Sequence, residues 1–367
     1  MRTEIPGLPG VLGADAVART AASIAAVQEP DGAIPTTAGG ATDAWNHVEA
    51  AMALLVGGQP DAAGHAYDWC LSTQRGDGSW PTRLIAGTVE DASAESNMAG
   101  YLAVGVWHHW LVRRDQAFVR RMWPAVHRAL ELVVALQLGF GGISWVRDEH
   151  GHEAREALLT GSASLFHALR AGLALADLMD APQPDWELAA GRLEHALSVH
   201  PDRFADKSWF SMDWYYPVLG GAVRGTQGQA LLAARWDDFV VPGLGVRCVD
   251  TNPWVTGAET CELALALDAL GDRDAARQLL RDVQRLRDES GGYWTGYVYA
   301  DHAIWPVEHT TYTAAAVVLA VDALTCTTGG SDIFRGSTLP AGFAPIGLEC
   351  GCWTPEPGGV ATGSLRR

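Results

Sequence analysis

The chain has 367 residues, 48% of them hydrophobic and 19% charged, with a formal charge of −17. That is enough apolar material for one large repeat-built domain or two ordinary ones, and it excludes global disorder. So acidic a surface repels nucleic acid and anionic lipid, leaving a neutral polymer, or a neutral or cationic small molecule, as the natural partner.

The six cysteines are scattered. Cys350-Gly351-Cys352 has no second Cys or His pair at zinc spacing, so neither a metal nor a cofactor is expected. The N-terminus leads into an Ala-rich amphipathic segment rather than an apolar signal region, and no run approaches the length of a membrane span. These features point to a reduced, cytoplasmic protein. Oligomeric state is not legible in them.

The periodicity predicts twelve helices. The first covers 14–28, with Val17, Ala21, Ile24 and Val27 on one stripe. The second covers 43–57, with Asp43 as N-cap or first-turn acid. The third covers 61–74, and the fourth runs from about Ala94 to Arg113. Helices over 116–138, 158–178 and 185–199 follow. The eighth begins near Phe210, the ninth covers 225–237, and 241–246 reads as a loop or short strand. The tenth runs from Thr256 to Gly271, the eleventh from Asp274 to Arg287, and the twelfth from Pro306 to Leu324.

Links alternate in length. Those leading into even helices are long and rich in Gly, Trp and Asp, whereas those leaving them are short. Even helices are Ala-rich, and odd ones carry Arg and Glu on one side. The simplest arrangement is all-α: an (α/α)6 toroid over residues 1–328, six helical hairpins with even helices inside and odd helices outside. The Gly/Pro-rich tail, 329–367, is expected to pack on the toroid or be partly disordered. All the long links and all inner-helix N-termini then share one face, which favours function and acidic side chains there.

A turn recurs through this pattern. Gln74-Arg75-Gly76-Asp77-Gly78-Ser79-Trp80 shares its skeleton with Gln28–Ile34 and Gln137–Ile143, and more weakly with Gln284–Trp294. It resembles the tryptophan motif of the squalene–hopene cyclase and prenyltransferase superfamily, and the six-hairpin toroid also resembles glucoamylase-like glycosidases. Asp43–Met52, Phe210–Tyr216 and Trp254–Glu262 are similar to a family of actinobacterial proteins often labelled prenyltransferase. A mycobacterial branch of that family hydrolyses intracellular methylmannose polysaccharide as an α-(1→4)-endomannanase. The similarity spans most of the chain. It implies a glycoside hydrolase acting on a methylated α-mannoside polymer or oligosaccharide.

The residues fit that chemistry. First turns of the inner helices bring Asp43, Asn46, His47, Glu49, Asp213, Tyr216, Glu259, Glu262 and Glu308 towards one cleft, with Trp145, Trp254 and Trp294 in the long links. Glycosidic cleavage needs one carboxylic acid to protonate the leaving oxygen and a second carboxylate to activate water or attack carbon. Asp43 and Glu262 are the expected pair, in an inverting arrangement. The other ten residues are expected to bind substrate. Structural roles compete: a helix cap for Asp43, a core hydrogen-bonder for His47, and packing for Trp80. Glu308 is carried by analogy with the catalytic base of glucoamylase-like enzymes. Terpene cyclisation or prenyl transfer is the rival activity, but neither Asp-x-Asp-Asp nor Asp-Asp-x-x-Asp occurs. A sugar epimerase using His47 and His309 competes as well, and so does a non-catalytic binding toroid.

Overall fold

A computed structural model describes residues 4–343. Twelve helices form in hairpin order: α1 (Ala14–Ala25), α2 (Ala44–Val56), α3 (Pro60–Thr73), α4 (Ser96–Arg113), α5 (Gln116–Ala135) and α6 (Leu159–Leu178). Then come α7 (Pro184–Val199), α8 (Ser211–Leu219), α9 (Gly225–Ala234), α10 (Gly257–Ala269), α11 (Arg273–Asp282) and α12 (Thr311–Thr325). A single turn of helix, Trp236–Phe239, follows α9, and a 3-10 turn, Val283–Leu286, extends α11.

The even helices form a closed inner ring. Each packs on the next even helix, and α12 packs on α2. Each odd helix from α3 onward packs outside the inner helix that precedes it, and α1 packs on α12. The fold is an (α/α)6 toroid. Burial follows the layers. In α12, Thr311 and every residue from Thr313 to Leu324 are buried, as expected of a helix enclosed on all sides. In α11 only Ala276, Leu279 and Leu280 are, a single stripe facing inward.

The recurrent turn stitches neighbouring outer helices together. Gln28 Nε2 donates to Gly32 O at 3.0 Å in its own turn and to Ala62 O at 3.0 Å on α3. Gln74 does the same with Gly78 O (3.1 Å) and Ala125 O on α5 (2.9 Å). Gln137 repeats it with Gly141 O and Ala189 O on α7, both at 2.9 Å. Glycine follows because the turn lies against that neighbour: a Cβ on Gly78 would sit 2.2 Å from Arg128 O, at φ +90°. The fourth copy departs from the pattern. Gln284 accepts from Tyr293 Oη at 2.9 Å, and Thr20 Oγ1 on α1 donates to Gly291 O at 2.9 Å, joining the last turn to the first helix. Trp80 is buried, with Nε1 donating to Cys70 O at 3.2 Å, a packing role.

The long links hold more β-structure than the periodicity indicates. β1 (Ala41–Thr42), β2 (Arg83–Ile85) and β3 (Thr88–Asp91) form one antiparallel sheet, and β4 (Ala94–Glu95) pairs with β5 (Val146–Arg147). β6 (Val240–Val241), β7 (Gly245–Arg247), β8 (Trp254–Thr256), β9 (Gly296–Val298) and β10 (Ala303–Ile304) form a second antiparallel sheet in the order β10-β9-β8-β7-β6. Strands this short carry no readable alternation. The twelfth helix starts at Thr311 rather than Pro306, because the preceding backbone is held elsewhere: Trp305 N donates to Gly296 O and Thr310 N to Tyr293 O, both at 3.1 Å.

Residues 329–343 cross the opposite end of the ring. Arg170 Nε donates to Pro340 O at 2.7 Å, Arg224 Nη2 to Phe334 O at 2.8 Å, and Arg335 Nη1 pairs with Asp268 Oδ2 at 2.5 Å. Ile333, Phe334 and Leu339 are buried. Residues 344–367, including Cys350 and Cys352, lie outside the described residues.

Replacing Gly78 by Ala is expected to destabilise the protein by about 1–3 kcal/mol, from the forced φ and the clash with Arg128 O. Gly76→Ala, in the same turn with open space at its Cβ, should stay within about 0.5 kcal/mol. Denaturant unfolding of both variants tests this; equal losses would refute the stitch.

Candidate active site

The face carrying the long links holds a cavity of about 290 Å³ at the first turns of α2, α8, α10 and α12. Trp45, Asn46, Glu49, Met212, Ala258, Glu259, Glu262 and Tyr312 line it. Glu262 is buried, and both carboxyl oxygens are engaged: Tyr216 Oη donates to Oε1 at 2.7 Å and Tyr215 Oη donates to Oε2. Two successive residues of α8 therefore fix one carboxyl of α10. Trp45 meets Tyr216 edge-on at 5.8 Å and Tyr101 at 5.6 Å, giving the site an aromatic wall.

Asp43 caps α2. Its Oδ1 accepts from Asn46 N at 2.9 Å and its Oδ2 from Asn46 Nδ2 at 2.7 Å. The residue is half-buried and remains reachable. Capping and chemistry are compatible here, because each oxygen spends one acceptor site and retains another.

The acids crowd one another in a poorly solvated place. Burial, then the charge of Glu259, pushes Glu262 up to about 7, against the pull of the two tyrosine hydroxyls. Glu49, also buried, is raised well above the usual carboxylate range by burial, then by Glu262 and Asp43. Glu95 is pushed up to about 7 by burial, then by Asp43 and Asp91. Burial raises Asp43 as well, against its Asn46 hydrogen bonds. Such a group keeps some carboxyls protonated at neutral pH while others ionise, the condition for paired acid and base work. Among the described residues no cluster of three or more His, Cys, Asp or Glu is arranged to hold a metal.

No family model matches the chain. A relative does: over 352 residues, covering 96% of this chain and 98% of the relative, it is 54% identical to the MMP endo-(1,4)-3-O-methyl-α-D-mannosidase of Mycolicibacterium hassiacum. The chain belongs to this family of glycoside hydrolases. Solved structures agree on the fold. A glycosidase variant in complex with glucose superposes with a TM-score of 0.67 at 16% identity, covering 86% of this chain and 97% of that one. D-mannose isomerase gives 0.64 at 10% identity (84% and 96%), and the GH63 mannosylglycerate hydrolase of Thermus thermophilus gives 0.63 at 13% (83% and 99%). Likenesses this distant speak to architecture alone.

Within this family member, the expected site residues divide. Asn46, Glu49, Glu259 and Glu262 line the acidic cavity, Tyr216 holds Glu262, and Asp43 caps the helix that carries Asn46. His47 does not reach the cavity. It is fully buried, its Nδ1 accepts from Ile34 N at 3.0 Å, and its Nε2 lies 2.9 Å from Ala66 O. Burial lowers it to about 4, so it is a neutral core hydrogen-bonder. Asp213 also turns to the scaffold: its Oδ1 accepts from Thr160 Oγ1 at 2.5 Å, tying α8 to the first turn of α6. Trp254 Nε1 donates to Trp305 O at 2.8 Å on the five-stranded sheet. The backbone of Trp145 receives Ser96 N at 3.0 Å beside the start of α4. Trp294 and Glu308 line a separate cavity. Glu308 is exposed and precedes α12 rather than opening it.

Trp45, Tyr101 and Met212 were not expected at the site from the sequence, nor was Tyr215 as a partner of Glu262. Trp45 was the most accessible of these, lying between the cap and Asn46.

The carboxyl of Glu262 is held above its ordinary value near 4.5 when folded, so the folded state keeps its proton after the unfolded chain has lost it. Its contribution therefore declines as pH rises from about 4.5 through about 7 and is level beyond. Glu262→Gln removes that decline, so the variant should gain stability over the parent at pH 8 relative to pH 5. Denaturant midpoints at the two values check it, and a pH-independent difference would contradict the burial account.

Proposed function

We propose that this glycoside hydrolase cleaves a 3-O-methylated α-(1→4)-mannoside polymer internally, with Glu262 as general acid and Asp43 as general base of an inverting displacement. The carrying observation is the buried Glu262, gripped by Tyr215 and Tyr216 on the floor of the acidic cavity. The substrate class rests on the relative named above, whose own substrate is a 3-O-methyl-α-D-mannoside. The aromatic and thioether lining from Trp45, Tyr312 and Met212 suits a sugar whose hydroxyls are partly capped by methyl groups. A net charge of −17 suits a neutral polymer. Family membership sets aside the cyclase and prenyl-transfer reading.

In this reading a protonated Glu262 donates to the glycosidic oxygen as the bond to the anomeric carbon breaks. Its elevated proton affinity keeps it loaded near neutral pH. Asp43, half-buried and oriented by Asn46, takes a proton from the water that attacks the opposite face. Glu49 and Glu259 hold hydroxyls, and Glu259 tunes Glu262 by its charge. No cofactor is required, and a cytoplasmic location fits the reduced thiols expected from the scattered cysteines. No helix among the described residues is long and apolar enough to cross a membrane.

Glu262→Gln is expected to cut turnover on the methylated polymer by about 10²–10⁴-fold. It should retain most activity on an aryl glycoside of the same sugar, whose leaving group needs no proton. Asp43→Asn should lose both. Proton NMR of the first products should show the β-anomer. Normal polymer cleavage by Glu262→Gln would defeat the assignment.

Activity should also fall as pH rises through about 7, where Glu262 loses its proton. Tyr216→Phe removes a donor that favours the carboxylate, so this limb should move to higher pH. A pH profile of kcat/KM with the limb unmoved, or moved down, would count against Glu262 as the acid.

A further inference from the structure

The second cavity is larger, about 770 Å³, and lies between α1, the α1–α2 link and the α11–α12 link. Its walls are largely apolar: Ala22 and Ile24 from α1, Ala26 and Val27 just after it, and Val307 from the α11–α12 link, with Arg19 also lining it. The indole of Trp294 stacks on the His309 ring at 3.7 Å between centroids. His309 Nε2 lies 2.9 Å from Asp288 Oδ2. Thr37, Ser290, Thr311 and Glu308 supply hydroxyls and a carboxylate at its edge. Apolar surface continues outward: Val307 is 77% exposed, and Trp305, nearby on the same link, is 56% exposed. Isolated exposed apolar residues are ordinary, but Val307 lines a formed cavity.

We infer that this cavity is a distal subsite for the methylated mannoside chain, binding sugar residues remote from the scissile bond by stacking on Trp294–His309 and apolar contact with their methyl ethers. The inference rests on the substrate class proposed above. Proximity to the acidic cavity supports it. Thr311 lines the distal cavity and Tyr312, the next residue, lines the acidic one, so the two open on either side of the first turn of α12. A helix is about 10–12 Å across with its side chains, a span that a few sugar units cover. The lining suits this ligand better than a bare sugar, because it offers more apolar wall than hydroxyl partners. Methyl ethers gain apolar contact with Ile24 and Val27 that bare 3-hydroxyls do not. An endo-acting enzyme also has reason to grip its chain away from the cut, since remote binding energy positions the reacting bond.

The test uses the full chain and two variants, with methylated mannoside oligomers of increasing length as substrates. Ala22→Trp fills the cavity from an exposed helical position, and Trp294→Ala removes the platform. For long oligomers, Ala22→Trp should raise KM about tenfold, the equivalent of one stacking contact, with kcat little changed. For the shortest cleavable oligomer it should match the parent. Trp294→Ala should raise KM for long oligomers in the same way, and the parent's preference for methylated over unmethylated long chains should shrink in both variants. KM values for long oligomers that stay at the parent's level, or rise equally at all lengths, would overturn the subsite while leaving the mannosidase reading intact. A parent enzyme that cleaves none of the oligomers would overturn the mannosidase reading and the inference with it.

Discussion

The whole arrangement depends on closing the outer ring. Six hairpins placed side by side do not form a toroid unless each is held at a fixed angle to the next. At three junctions, α1–α3, α3–α5 and α5–α7, the glutamine that follows the odd helix does this with one amide group. Its Nε2 splits between the carbonyl of its own glycine turn and a carbonyl on the next outer helix, as for Gln74 with Gly78 and Ala125. A bond across 51 residues thereby shares its donor with one across four. The glycine lets the turn lie against its neighbour. Inside the outer ring the inner helices, which bury residues such as Ala50, Ala51, Ala315 and Ala316, pack into a closed bundle with their N-termini on one face.

That geometry explains why the acids gather. Asp43, Glu95, Glu49, Glu259 and Glu262 come from three inner helices or the links just before them, and meet because those helices begin together. Burying several carboxyls side by side disfavours their charged forms, so the cluster costs stability as pH rises. The scaffold offsets that cost with apolar packing around the ring. At the other end, residues 329–343 lie across the bundle, with Arg335 on Asp268 and Arg170 on the Pro340 carbonyl. The strap lies against the end of the bundle opposite the acids.

The toroid was readable because its signal is repetitive: alternating link lengths, Ala-rich even helices and the glutamine turns each point to the same ring. Helix starts were readable where a local cap set them, as with Asp43. The start of α12 was not. Pro306 is a plausible first residue for a helix, but the backbone around it is held by strand β9 and Tyr293, contacts that no local pattern encodes. The strands of the long links are two to four residues long and exist only through their partners. The same boundary runs through the site. Glu262 stood out because it lies one turn into an inner helix. Its pairing with Tyr215 and Tyr216 depends on how α8 leans on α10, so two adjacent tyrosines gave no indication that both would reach one carboxyl. His47 misled because its position resembles that of a site residue, while its flanks, Val48, Ala50 and Ala51, are those of a core residue.

Trp294 and Glu308 fall in a different cavity from Glu262. Both belong to the link that enters α12, and a single cleft would be expected to collect them with Glu262. The first turn of α12 stands between instead, with Thr311 on one side and Tyr312 on the other. A ring built from hairpins makes this separation natural, since every inner helix start is also a partition between two adjacent links. Each partition can present one surface to the reacting bond and the other to the rest of a polymer.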